Sequence, residues 1–206
     1  MRSVLVVDYG MGNLRSVAGA VRKVGWEPVV SCNAGEMARA ERYILPGVGA
    51  FADGMRGLRD RGLVDLLAAE VAGKGKPILG ICLGAQLFAR EGEEGGPCAG
   101  LGWLDARAAR IETGDESLRL PHVGWNDVEV GRPSPLFEGL PPAPLFYFVH
   151  SYLLVCDRVE DVVATTPYGR PVTAAARRGN VHAVQFHPEK SQRAGLDLLR
   201  NFLERT

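Results

Sequence analysis

Gly80, Ile81, Cys82, Leu83, Gly84, Ala85, Gln86, Leu87, Phe88 is the stretch around which the chain is organised. Lys76 and Pro77 lead into an apolar strand, Ile78 to Ile81, and Ala85 to Phe88 read as a helix. A cysteine with glycine at minus two and plus two is the thiol counterpart of the nucleophile elbow, a strand-to-helix turn that tolerates only small neighbours. The sulfur is then pushed out of the backbone. At a helix N-terminus it would feel the positive end of the helix dipole, which favours thiolate. The backbone N–H of Leu83 would lie on the same side, ready to meet an oxyanion. The same residues also fit a small buried structural cysteine at a glycine-flanked strand end.

Upstream of the elbow, strands and helices alternate. Val4 to Val7 is a continuous apolar run, as expected of a strand buried on both faces of a parallel sheet. Asn13 caps a helix in which Leu14, Val17, Ala18, Val21 and Val24 recur at three- and four-residue spacing until Gly25. A dinucleotide reading of Gly10, Met11, Gly12, Asn13 fails, because Arg15 stands where the third glycine belongs and the next strand ends in Ser31, not an acid. Tyr43 to Leu45 form another strand, followed by Pro46, Gly47, Val48, Gly49, Ala50, Phe51. That glycine loop either turns backbone N–H groups toward a ligand as a second oxyanion donor or is an ordinary turn. Leu63 to Val71 read as a helix closed by Gly73. This β, α repetition predicts a doubly wound parallel sheet with right-handed crossovers.

Beyond the charged loop Glu91 to Gly96 the texture changes to short strands: Ala106 to Ile111, Asn126 to Val130, Phe146 to Val149, Val162 to Thr166, Thr173 to Arg177 and Val181 to Phe186. Such spacing favours antiparallel hairpins. Gly131 to Pro144, rich in proline, is a surface loop, and a last helix runs from Gln192 to about Glu204. The length suits one domain over residues 1–206. Lysine plus arginine balance aspartate plus glutamate at 24 each, which gives no electrostatic case for nucleic acid or an anionic membrane. Cys32, Cys82, Cys98 and Cys156 form no C-x-x-C pair, so reduced thiols and a cytoplasmic setting are expected. The N-terminal apolar run is too short for a signal peptide, and no run approaches a membrane span.

Far downstream lie Val184, Gln185, Phe186, His187, Pro188, Glu189. Proline disfavours the α region in the residue before it, so His187 should be extended, with Glu189 on the same side two positions on. A carboxylate beside an imidazole fixes its tautomer and leaves the other nitrogen free to take a thiol proton. His122, His150 and His182 have no acid two positions on, and His182 sits mid-strand, where a packed role is more common.

Taken jointly, the elbow, the Pro46 to Gly49 loop and His187-Pro188-Glu189 resemble the class I (triad) glutamine amidotransferases over nearly the whole chain. The resemblance implies a flavodoxin-like α/β fold: a mixed, mostly parallel central sheet with helices on both faces, plus a small antiparallel sheet. It implies Cys82 as nucleophile, His187 as general base and acid, and Glu189 as the group that orients it. Val48 and Leu83 match the oxyanion hole, and Gly49 and Gln86 match positions that hold glutamine. No metal and no cofactor are implied. Within the family, Asp8 to Leu14, Pro46 to Phe51, Pro121 to Asn126, Tyr147 to Tyr152 and Lys190 resemble the amidotransferase subunits of imidazole glycerol phosphate synthases. That implies histidine biosynthesis and a heterodimer with a (β/α)8-barrel cyclase that takes the ammonia, with Asn13, Trp125, Asn126, Tyr147 and Lys190 at or near the interface. Sibling subunits for anthranilate, aminodeoxychorismate or pyridoxal phosphate synthesis are less similar: the first two usually carry Pro-Gly-Pro-Gly where this chain has Pro46-Gly47-Val48-Gly49, and the third has a different loop. A redox-sensing member without catalysis, or a stand-alone cysteine hydrolase, would be of another class.

Overall fold

Val4 and Val6 point to one side of their strand and Leu5 and Val7 to the other, and all four are buried, so the strand must be covered on both faces. The structure, a computed structural model describing residues 2–115 and 117–206, has that arrangement. β1 (Ser3–Val7), β2 (Glu27–Ser31), β3 (Tyr43–Gly47) and β4 (Ile78–Cys82) lie parallel. They are linked by α1 (Leu14–Lys23), α2 (Ala34–Arg39), α3 (Phe51–Asp60) and α4 (Leu63–Leu67), the last continuing in a wider turn over Ala68–Gly73. After the single helical turn α5 (Leu83–Gln86) come the short strands β5 (Glu91–Gly92) and β6 (Cys98–Ala99), then β7 (Ala106–Arg110), β8 (His122–Asp127) and β9 (Glu129–Val130). The last part holds β10 (Leu145–His150), β11 (Tyr152–Cys156), β12 (Val162–Tyr168), β13 (Arg170–Arg178), β14 (Val181–Val184) and α6 (Gln192–Arg205).

The main sheet runs β2-β1-β3-β4-β14-β13-β12-β9, parallel from β2 to β14 and antiparallel beyond. On one face α1 and α6 bury Val17, Val21, Leu198, Leu199 and Phe202; on the other α2, α3 and α4 bury Met37, Phe51, Met55, Leu58 and Leu67. Each such side chain contributes about 1.5–3 kcal/mol relative to exposure, so the two layers fix β4 and β14 firmly at the centre. That matters because β4 ends in Cys82 and β14 runs into His187, and the two strands are parallel neighbours. Both carboxyl ends therefore emerge at the same sheet edge, where open α/β folds place their sites.

Several elements differ from expectation. Two small sheets are present instead of one: a four-stranded β11-β7-β5-β6, in which β5 and β7 pair in parallel, and the antiparallel ribbon of β8 and β10. The expected loop Glu91 to Gly96 begins with β5. Helices α2 and α3 and strand β11 were not anticipated. The expected helix after Cys82 is only one turn long.

Candidate active site

Backbone crowding explains the spacing of glycines around Cys82. A methyl group at Gly84 would lie 1.9 Å from the Leu45 carbonyl oxygen, and one at Gly80 would lie 2.5 Å from the Phe88 ring and 2.7 Å from the Ala85 backbone. Between them Cys82 has φ 54° and ψ −113°, a conformation that L residues seldom adopt. The strain is maintained by the packed surroundings and turns the sulfur toward a cavity. With α5 a single turn, the helix dipole is slight, contrary to the expectation that it would support a thiolate. Negative charge on the sulfur has to be met by side chains.

His187 supplies one of them. Its Nδ1 lies 2.8 Å from Glu189 Oε1, and both side chains are almost wholly buried. The route to this contact is not simple two-residue alternation. His187 is extended, at φ −102° and ψ 94°, but Pro188 to Lys190 form a 3-10 turn that brings the carboxylate back to the ring. Ser191 pins the turn: its hydroxyl donates to the His187 carbonyl at 2.6 Å and accepts from the Tyr147 N–H at 3.0 Å. The His187 N–H in turn donates to the Tyr147 carbonyl at 2.9 Å. Nε2 of His187 is buried without a hydrogen-bond partner, on the wall of the cavity that Cys82 also lines. Burial by itself would lower His187, but Cys82 and Glu189 outweigh it and raise the imidazole to about 9.

The sign of that shift gives a testable pH dependence. A raised imidazole contributes stability that is fully present below its ordinary value near 6.5 and is lost as pH climbs through about 9. Glu189→Gln removes the partner that favours the imidazolium. The difference in Tm between wild type and Glu189→Gln is therefore expected to be largest near pH 6 and to shrink toward and beyond about 9. Thermal denaturation across that range checks it, and a difference that grows with pH contradicts the pairing.

The cavity measures about 380 Å³ and is walled by Val48, Gly49, Cys82, Leu83, Gln86, Glu94, Val149 to Tyr152 and His187. Six of the seven residues that the resemblance assigned to catalysis, oxyanion binding or glutamine binding thus line one hollow, and the seventh, Glu189, stands behind His187. Gly49 has φ +104°, which suits glycine, and Val48 is exposed at the rim. Gln86 is buried, and its Nε2 donates to the Tyr152 carbonyl at 2.7 Å, leaving only its oxygen for a ligand. Glu94, which sequence reasoning passed over as part of a charged loop, also faces the cavity, and burial raises its carboxyl above the usual range. Gln185 was missed too, although its Nε2 lies 3.6 Å from Cys82 Sγ. A somewhat larger hollow of about 460 Å³ between Arg90 and Ala109 contains Cys98 but no imidazole on its walls.

Trp125, Tyr147 and Lys190 share one outer face: the Trp125 and Tyr147 rings meet edge-on at 6.1 Å, and Lys190 Nζ stands 5.7 Å from the Tyr147 ring. Asn13 accepts from the Ser16 N–H as the cap of α1. The Asn126 amide turns inward, to His122 Nε2 at 3.2 Å and the Pro167 carbonyl at 2.7 Å.

The family model for class-I glutamine amidotransferases matches residues 5–206. The chain belongs to that family. Among amidotransferase relatives it is 48% identical to the imidazole glycerol phosphate synthase subunit HisH of Moorella thermoacetica, over 99% of this chain and 95% of that one. It is 45% identical to the HisH subunit of Caulobacter vibrioides, over 99% of both chains. Among solved structures, one described as a glutamine amidotransferase superposes with a TM-score of 0.73 at 25% identity, covering 97% of each chain. PurLQS from Thermotoga maritima shares the fold alone, with a TM-score of 0.76 at 21% identity over 98% of this chain and 97% of that one.

Proposed function

We propose that the chain is the glutaminase subunit of an imidazole glycerol phosphate synthase. It hydrolyses glutamine to glutamate and ammonia for use by a (β/α)8-barrel cyclase partner in histidine biosynthesis. The observation that carries the chemistry is the buried 2.8 Å His187–Glu189 pair facing the cavity into which the strained Cys82 is turned. Similarity to HisH subunits over nearly the full length supports the pathway.

In this reading the Cys82 thiolate adds to the side-chain amide carbonyl of glutamine. Backbone N–H groups of Val48 and Leu83 receive the oxyanion, and the His187 imidazolium gives its proton to the departing nitrogen. A γ-glutamyl thioester remains on Cys82. His187, now neutral, takes a proton from water as that water attacks, and the thioester collapses to glutamate and free thiolate. Glu189 keeps its hydrogen bond to Nδ1 throughout, so only Nε2 exchanges protons with the reacting atoms. A glutamine α-ammonium placed against Glu94 would restore the charge that burial disfavours there. Ammonia freed into water would be protonated and diluted, which supports a partner docked at the outer face of Trp125, Tyr147 and Lys190. Four free cysteines fit a reducing, cytoplasmic setting, and no helix among the described residues is long and apolar enough to cross a membrane.

Uncoupled hydrolysis wastes glutamine, so the oxyanion loop at Val48 is proposed to complete its geometry only in the complex. Glutamate formation is expected to rise on the order of 10²- to 10³-fold, the worth of one oxyanion donor, when the cyclase and its nucleotide ligand are added. Equal rates for the chain alone, with the cyclase, and with both additions would count against the coupling and favour a stand-alone hydrolase.

A further inference from the structure

Gln185 follows β14 directly, is buried, and has its side-chain nitrogen 3.6 Å from Cys82 Sγ. Which end of its amide faces the sulfur is decided by atoms with no alternative role. The Tyr152 carbonyl oxygen only accepts, so the Gln86 group 2.7 Å away is the NH2. That NH2 lies 3.2 Å from Gln185, whose nearer atom must then be its oxygen. The Gln185 NH2 is left to point at the sulfur.

The Tyr152 carbonyl is fixed from its other side. His150 Nδ1 donates to it at 3.0 Å, which makes Nε2 of that ring an acceptor. His122 Nδ1 lies 3.1 Å from His150 Nε2 and is therefore the donor, and His122 Nε2 accepts from Asn126. Burial holds both rings neutral, lowering His122 to about 4 and His150 to about 3. His122 is also clamped between the Phe148 ring at 4.8 Å and the Tyr168 ring at 4.1 Å. Hydrogen bonds thus connect Asn126 on β8 to the sulfur through the Tyr152 carbonyl, which accepts from His150 on one side and Gln86 on the other, and reversing the Gln86 or Gln185 amide would leave a buried group unpaired.

We propose that Gln185 is a further catalytic residue, whose amide N–H stabilises the Cys82 thiolate, with His150 and His122 as positioning residues that hold its orientation through Tyr152 and Gln86. The proposal rests on the reading of Cys82 as nucleophile. A hydrogen bond to a charged acceptor is about twice as strong as one to a neutral acceptor, so this contact favours thiolate over thiol. Nucleophilicity falls with a slope of only about 0.4–0.5 as a thiol becomes more acidic, so a larger thiolate population is a net gain in reactivity. The other ionisable groups against the sulfur are His187, with Glu189 behind it, and the buried Tyr9 hydroxyl; Glu94 faces it across the cavity.

The test is alkylation of the full chain by iodoacetamide from about pH 5 to about 10, read at the Cys82 peptide by mass spectrometry. Gln185→Glu, which presents a repelling oxygen, is expected to move the curve up by about one pH unit and, after the gain in intrinsic nucleophilicity, to slow alkylation on the rising limb about three- to fourfold. His122→Phe keeps the stack, loses the donor, and should move the curve the same way by less. A folded Gln185→Glu with an unmoved curve overturns the proposal. Should the variants not fold, selective labelling of glutamine side chains in the unmutated chain decides: the Gln185 amide resonance must shift over the pH range in which alkylation accelerates, and a flat resonance overturns the proposal. The nucleophile reading fails separately, through a Cys82→Ala chain that still hydrolyses glutamine.

Discussion

Replacing Cys82 with alanine is expected to cut glutamine hydrolysis by a factor on the order of 10⁴ or more, while the fold persists. The size of the loss follows from how the groups act. In the proposed reading His187 and Glu189 serve the sulfur, with Glu189 held 2.8 Å from Nδ1 and Nε2 left without a partner, so removing the nucleophile makes the pair idle. What survives is binding and whatever oxyanion stabilisation the loop can give to attack by water. The fold should tolerate the change, since the methyl group of alanine replaces the first side-chain atom of a residue whose backbone is already committed. Glutamate release should be measured with the partner subunit present, so that a dormant loop does not mask the comparison. Activity within tenfold of wild type would falsify the assignment of Cys82.

A second large effect is expected at Gly84, this time on stability. An added methyl there would sit 1.9 Å from the Leu45 carbonyl oxygen and 2.8 Å from its carbon, both backbone atoms of the central strand β3. No flexible side chain can give way, so either β3 or the elbow must move. Overpacking of this kind costs typically 1–3 kcal/mol and more where backbone is displaced, and we expect Gly84→Ala to lie at or above about 3 kcal/mol. Denaturant unfolding should show a lowered midpoint with an unchanged slope. Gly19→Ala is the control, because a methyl group there meets nothing within 4 Å. Equal midpoints for the two variants would contradict the close packing of the elbow against β3.

Much of this was legible in the residues because its causes are local. The continuous apolar run Val4 to Val7 and the Asn13 cap are read from a few neighbouring residues, and the glycines around Cys82 announce a tight turn, although what crowds Gly84 is the distant Leu45 carbonyl. The pairing of His187 with Glu189 was anticipated, but by the wrong route, since the acid returns through a turn after Pro188. Helix α3 was hidden because Gly54 and Gly57 lower its propensity. Both are glycine for tertiary reasons: a methyl on Gly57 would lie 2.6 Å from the Tyr9 carbonyl oxygen, and one on Gly54 would press on Leu87 at 3.1 Å. Strand β11 was hidden because only Ser151 separates it from β10, although the two belong to different sheets. Gln185 was invisible for the most general reason. Its significance lies in which atoms surround it, and those come from β4, α5 and the start of β11, far away in the chain.

The ribbon of β8 and β10 has a bearing on how this molecule can change over time. Its odd and even positions serve different ends: Trp125 and Tyr147 face outward, while Phe146, Phe148, His122 and His150 are buried. Because side chains in a strand alternate strictly, gaining or losing one residue there would exchange the two sets in a single step. The proposed docking face and the buried hydrogen bonds behind it would be lost together. Length changes should be tolerated instead at the exposed Pro141 to Ala143, because the rest of the connection between β8 and β10 is not the simple surface loop expected: Pro135–Phe137 form a 3-10 turn that buries Leu136 and Phe137 in the core and is held by Asn201.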